Sequence, residues 1–561
     1  MSKAAPTSPG PRRLPTAGVL RLGRTSDIWF KPAVSAVVAS AIPNLILLCL
    51  DRLDLAIYTM AGSLCATYAH NRPYANRART MVGVILGMVA GLAAALVTSS
   101  LVDSTMALIT VGALLAALQK LLCDATRIGP PAHVIFTFIS SAALFVPQTI
   151  GQVPGHLALT AGAAALAYAV TMAPGLLRPQ GPERRAVRGA LRATARYAGL
   201  PAAAPEAGPA RDAAAAAIQI GWQNLLLSGD RRTEDRRALE RLLIRAEIAL
   251  ASPTAADPAL LAGWADRLRG TGAVPRPADP GHATDLLGVE VEHAFPGPSL
   301  LRRMRPGGLL LPVAARTFAG CALAGYVSFG LGVGRPYWAI VTAAAVSQAN
   351  VSQSWRRSIQ RVVGNLVGVL VFVAVTPLTD TGPTALVLVA LAFNFAAEAF
   401  MPRNYWLGSI CVTPMALLIV QFSRHQAAGG LLTDRVVDTL VGAVVGMLAA
   451  MAVVTRRPSR ILAVALTGAR TAQQNARDVL AAPHPDPAAL EAARRRLTFA
   501  LVELRELRDI AAGEWWQAPL PEQDVLALQR SGHRTLAETV RAQGLGNGGA
   551  AAADGGGGGR A

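Results

Sequence analysis

Apolar residues in this chain gather into runs of membrane length separated by short polar turns, and the runs come in two groups of six. The first group covers roughly 33–50, 54–70, 81–99, 104–122, 132–148 and 156–176. The second covers roughly 309–331, 336–350, 362–378, 382–400, 405–422 and 433–454. A helix crossing the hydrocarbon layer needs about 20 apolar residues, so the pattern predicts an all-α polytopic membrane protein with about 12 transmembrane helices.

Elsewhere the period changes. PERRAVRGALRATARYAGL (182–200) and DRRTEDRRALERLLIRAEIALA (230–251) repeat apolar residues at three- and four-residue spacing, as do 459–482 and 487–514. That spacing predicts amphipathic helices outside the bilayer. The expected organisation is a cytoplasmic tail over 1–31, a six-helix membrane half over 32–177 and a cytoplasmic helical domain over 178–307. A second six-helix half follows over 308–455, then a C-terminal cytoplasmic helical domain over 456–543 and a disordered Gly/Ala-rich tail over 544–561. An even number of spans per copy makes this a parallel internal repeat.

One interruption stands out. SQANVSQSWRRSIQRVVGNLVG (347–368) stops an apolar run with polar and basic residues, and AHNRPYANRARTMVGVILG (69–87) is its looser copy. Both are expected to be cytoplasmic turns between a second and a third span. Gly364 with Gly368, and Gly83 with Gly87, would then let each third span pack closely on a neighbour.

Charge fixes the direction. With the N-terminus inside, the inner loops hold Arg72, Arg77, Arg79, Lys120, Arg127, Arg356, Arg357, Arg361 and Arg403, against Arg52, Arg335, Arg424 and Arg435 outside. This positive-inside bias places both termini in the cytoplasm of a multi-pass plasma-membrane protein. Composition agrees: 52% of the 561 residues are hydrophobic and 16% charged, where soluble proteins carry about a quarter charged residues. The net charge of +19 is almost all arginine at the ends of apolar runs, so topology explains it and no nucleic-acid partner is expected. Cys49, Cys65, Cys123, Cys321 and Cys411 show no paired spacing and read as small hydrophobes. Walker A, HExxH, GxSxG and Rossmann signatures are absent, and no cofactor, metal or enzymatic activity is expected.

Polar side chains inside spans are the candidate substrate-contacting residues: Arg316, Arg361, Gln348, Asn350, Asn394, Glu398 and Asp438. Each has a structural alternative. Arg316 either attracts a carboxylate from the bundle interior or snorkels to the inner surface, and Glu398 either carries a proton or pairs with Arg403. Arg435 and Asp438, three residues apart, are expected to clamp one another along a helix face. The pairs Tyr337–Trp338 and Tyr405–Trp406 are expected to be interface anchors rather than stacking partners for an aromatic substrate.

Over about 310–455 the sequence resembles the fusaric acid resistance protein-like integral membrane transporters, which are related to bacterial aromatic carboxylic acid exporters. The resemblance rests on RPYWAIVTAAAV (335–346), RVVGNLVG (361–368), NYWLGSICVTPMAL (404–417) and DRVVDTLVGAVVG (434–446). Arg361 matches the family's arginine before the glycine pair, and Asp438–Thr439 its Asp-Thr before glycine. The first half carries a faded copy, with Thr80 where the second has Arg361. The resemblance implies export of small organic, often aromatic, acid anions. A passive anion channel of the same architecture and a non-transporting membrane scaffold remain open beside it, and the cytoplasmic helices suit a homo-oligomer.

Overall fold

Helices account for nearly all of the computed structural model, which describes residues 10–11, 14, 16–23, 28–201, 203–228, 233–251, 253–276, 310–423, 428–452, 458–513, 516–517 and 521–554. Among the described residues the strands are limited to a two-residue antiparallel pairing of Gly10–Pro11 with Trp516–Gln517.

Among the described residues nine helices are long and apolar enough to cross a bilayer. In the first half they are α1 (Phe30–Cys49), α3 (Tyr74–Leu101), α4 (Thr105–Thr126) and α6 (Val153–Met172), the last continued by α7 (Pro174–Leu177). Two shorter helices, α2 (Ala56–Ser63) and α5 (Val134–Leu144), fall between them. The second half contains α12 (Leu310–Gly330), α13 (Tyr337–Val346), α14 (Val351–Thr379), α15 (Pro383–Phe400), α16 (Tyr405–Ser423) and α17 (Ala428–Ala452). Five of these six are long; α13 is not.

At 1.5 Å per residue the ten residues of α13 cover about 15 Å, half of the hydrocarbon thickness. Every one of them is buried, so α13 is a core helix enclosed by α12, α14, α17 and the first-half helices α4 and α5. The expected span over 336–350 is therefore a half-length helix followed by irregular backbone at Ser347–Asn350, which membrane proteins tolerate where protein surrounds it. The expected polar turn shrinks in the same way. Asn350 caps α14 by accepting from the Gln353 N–H at 2.8 Å, so SWRRSIQR forms the first turns of a 29-residue helix. Such a helix is about 43 Å long and projects its basic end beyond the hydrocarbon.

The halves interlock: α1 packs on α15, and α4 on α12. Glycine permits the closest approaches. A side chain at Gly364 would meet Ser409 Cβ at 2.5 Å, and one at Gly368 would meet Thr413 Cβ at 2.7 Å, so α14 and α16 touch backbone to backbone. At Gly442 the Ala339 carbonyl lies only 2.6 Å away, which seats α17 against α13. Gly87 faces Phe136 at 3.2 Å, whereas nothing lies within 4 Å of a side chain placed at Gly83.

Two helical units lie outside this bundle. The first is α8 (Gly181–Ala198), α9 (Ala207–Leu227), α10 (Glu234–Ala251) and α11 (Pro258–Arg267), built around Leu191, Leu225, Leu239 and Leu242. The second is α18 (Pro458–Leu480), α19 (Pro487–Ala512) and α20 (Glu522–Asp554), with Leu462, Leu504 and Val525 inside. α20 runs past the expected boundary at 543, and 555–561 lie outside the described residues. Arg494 joins the units, 3.5 Å from Glu247 and 5.0 Å from the Trp222 ring centre, and Arg505 donates to the Asp212 carbonyl at 2.7 Å. Burial alone would raise the Glu491 carboxyl, but Arg494 and Arg495 hold it down at about 2.

Candidate anion site

α14 presents Arg361, Gly364, Asn365 and Gly368 at helical spacing toward α16 and α17. Because the two glycines bring α16 in, the side chains between them meet across a very short gap. The buried Asn365 Oδ1 accepts from the Thr413 hydroxyl of α16 and from Arg435 Nη2 of α17 at 3.3 Å. Arg435 is 1% exposed, with its guanidinium carbon 5.0 Å from the centre of the Trp338 ring. Among the described residues its Nε and Nη1 have no hydrogen-bond partner, nor has Asn365 Nδ2.

Toward the basic end of the bundle, Arg361 Nη1 donates to the Tyr405 hydroxyl at 2.9 Å while its Nε stays unpartnered. The Arg357 guanidinium lies 3.7 Å over the Tyr405 ring, a cation–π contact. Toward the other end, the fully buried Asp438 accepts from Ser328 Oγ at 2.5 Å through Oδ1, and its Oδ2 has no partner.

The expected Arg435–Asp438 clamp is not formed: among the described residues no ion pair joins them. The reason is direction. Asp438 turns toward Ser328 on α12, and Arg435 toward Asn365 on α14. Arg361 and Arg435 thus lie buried, without an ion-paired carboxylate among the described residues and with N–H groups left over. One such orphan donor costs about 1–3 kcal/mol, and a buried unpaired charge more. Acceptors with negative charge are what this arrangement suits, and an arginine fork holds a carboxylate through two parallel bonds.

Of the seven candidate substrate-contacting residues read from the sequence, only Arg361 and Asp438 are in this cluster. Arg316, 2% exposed, donates Nη2 to the Gln348 carbonyl and so ties off the irregular backbone after α13. Gln348 Nε2 donates to the Ala345 carbonyl at 2.9 Å, and Asn350 is the α14 cap. Asn394 Nδ2 reaches Ser40 Oγ at 3.2 Å, joining α15 to α1. Glu398 is half-buried in that same helix pair, and among the described residues no ion pair links it to Arg403.

The aromatic anchors are corrected too. Trp338 is 1% exposed and Tyr337 is buried, since α13 is enclosed by protein rather than facing lipid. Trp406 Nε1 donates to the Leu20 carbonyl at 3.1 Å. Sequence reading passed over Asn365, Thr413 and Ser328 as site residues, took Trp338 for an interface anchor and took Arg435 for one half of a clamp. The signal for Asn365 was its place four residues after Arg361, one turn along the same face.

The first half differs. Arg77 is also buried, but its guanidinium donates to the carbonyls of Ala69 (3.0 Å), His70 (2.6 Å), Arg72 (3.3 Å) and Thr171 (3.1 Å). Thr80, in the place of Arg361, accepts from Arg72 Nη1 at 2.9 Å. Here arginine holds backbone together.

The fold and this cluster define a multi-pass α-helical membrane protein with a buried, arginine-rich polar centre in its second half. Within that half, residues 321–449 match the model of the fusaric acid resistance protein-like family. The match takes in Trp338, Arg361, Asn365, Thr413, Arg435 and Asp438, and leaves out Arg316. The chain is also 30% identical over 227 residues to the uncharacterized membrane protein YvaC of Bacillus subtilis, covering 39% of this chain and 32% of that one. It is 32% identical over 132 residues to an uncharacterized protein of Haemophilus influenzae, covering 24% of this chain and 18% of that one. The aligned segments thus span a third or less of these relatives' length. No solved structure matches.

Proposed function

We propose that the protein exports small organic anions, aromatic carboxylates among them, across the plasma membrane, and that the cluster around Arg435 is where the anion is held. The single observation that carries this reading is Arg435 itself: a guanidinium at the centre of an apolar bundle with two N–H directions unpartnered and no ion-paired carboxylate. A carboxylate would accept from Arg435 Nε and Nη1, with Asn365 Nδ2 alongside, and the Trp338 face would stack on an aromatic ring.

In this account the chain crosses the membrane twelve times, as two parallel six-helix halves. The nine long helices are completed by α5, α13 and the segment containing α2. Both termini lie in the cytoplasm, which puts Arg357 and Arg361 at the inner end of the path, where they concentrate anions electrostatically. The first half serves as scaffold, because its buried Arg77 is consumed by four carbonyls.

Purified protein in liposomes tests this with radiolabelled benzoate as probe. Wild type should move it and Arg435→Gln should not, while both chains elute as one sharp peak. Equal flux through both would overturn the assignment. The direction and energetics of transport follow from the same vesicles: accumulation against a gradient marks a pump, and equilibration alone marks a channel.

A further inference from the structure

Residues 18–23 lie across the end of the bundle beside which Arg361 and Tyr405 meet. The Val19 carbonyl accepts from Gln360 Nε2 at 2.9 Å and Asn404 Nδ2 at 3.3 Å, and the Arg21 carbonyl accepts from Asn404 Nδ2 at 2.8 Å. The Leu20 carbonyl takes the Trp406 indole N–H at 3.1 Å, and the Gly23 N–H donates to the Arg403 carbonyl at 2.9 Å. Gln360 precedes Arg361, and Asn404 and Trp406 bracket Tyr405, so the segment is buttoned onto the residues flanking the Arg361–Tyr405 contact.

Further along, Gly10–Pro11 pairs with Trp516–Gln517. The end of α19 sits close by: the Gly513 carbonyl accepts from the Ser352 N–H at 2.8 Å, and the Asp509 carbonyl from Asn350 Nδ2 at 3.4 Å. One face of the bundle is therefore crossed by the N-terminal segment and by the α19 end, each bonded to helices that carry the arginines.

The attachment is of a detachable kind. Val19 is buried, but Leu20 and Leu22 are 41% and 58% exposed, so most of the segment is held by backbone carbonyls on polar side chains. Segments with few buried apolar contacts open at the low end of the stability range. Fit is close at one point: a side chain at Gly23 would meet the Arg403 carbonyl oxygen at 2.7 Å.

We infer that residues 18–23 form a strap that closes the inner entrance to the arginine cluster and that its release admits the anion. The inference rests on reading that cluster as the anion site, and the test separates the two. In a cysteine-free full-length chain carrying Ser358→Cys as reporter, a buried position between Arg357 and Arg361, a membrane-impermeant maleimide is applied from the inner side. Gly23→Val, which crowds the Arg403 carbonyl, and deletion of residues 1–23 are compared with the parent.

Both changes should raise the labelling rate by about tenfold, the factor carried by roughly one hydrogen bond to a well-placed partner. Benzoate flux should rise with it. Unchanged labelling in Gly23→Val, where the membrane bundle is untouched, overturns the strap. Faster labelling with no benzoate flux from either chain upholds the strap and defeats the anion reading.

Discussion

At the scale of single residues the chain uses buried arginine in two opposite ways. Arg77 spends its donors on backbone carbonyls left over where helices break; among the described residues Arg435 and Arg361 keep donors unspent. The two kinds should respond differently to substitution. Arg77→Ala removes a side-chain donor from four carbonyls, those of His70 and Thr171 among them, so it should lower the melting temperature in detergent sharply. Arg435→Gln removes an unpaired buried charge and should leave thermal stability equal or higher while binding is lost. Arg435→Lys, which keeps charge without the planar fork, should bind benzoate about tenfold more weakly by isothermal titration. Equal affinity of the lysine variant would mean that charge alone, not the fork, is read. Sequence made Arg361 and Asp438 visible because intramembrane charge is rare. It hid Asn365 and took Trp338 for an interface anchor, since their surroundings come from which helix faces them, and it mistook Arg435 because spacing on its own helix says nothing about a partner on another.

At the scale of elements, apolar periodicity located nearly every helix but not what each one faces. An apolar run reads the same whether lipid or protein surrounds it, which is why α13 looked like a full-length helix with interface aromatics, where the structure has a half-length helix enclosed by protein. Glycine pairs were equally ambiguous. Gly364→Ala would press on Ser409 and the Trp406 carbonyl, at 2.5 and 2.7 Å, and should cost about 1–3 kcal/mol by overpacking. Gly83→Ala meets nothing within 4 Å and should be neutral or stabilising, since alanine is the better helix former. Thermal unfolding of the two variants decides it, and a loss at Gly83 equal to that at Gly364 would contradict the packing described.

At the scale of the whole molecule, the long helices and the amphipathic extramembrane helices were legible from chain pattern, while the docking of 18–23 and of Arg494 onto distant elements was not, because neither contact leaves a local periodicity. The α10–α19 junction also carries a pH dependence. Glu491, held at about 2 against an ordinary 4.5, contributes stability that is full above pH 4.5 and is lost as pH falls toward 2. Hydrogen exchange of α19 should therefore accelerate through that acid window, and Arg495→Ala, by raising the folded Glu491 toward 4.5, should make that acceleration smaller. The account as a whole turns on the unpaired guanidinium in the second half. Its most direct test is equilibrium binding of benzoate to purified protein, wild type against Arg435→Gln, at matched folding. Saturable binding by wild type that Arg435→Gln loses by about a hundredfold or more is the expected result, in line with truncating one partner of a buried charge pair; undiminished binding by Arg435→Gln would contradict it.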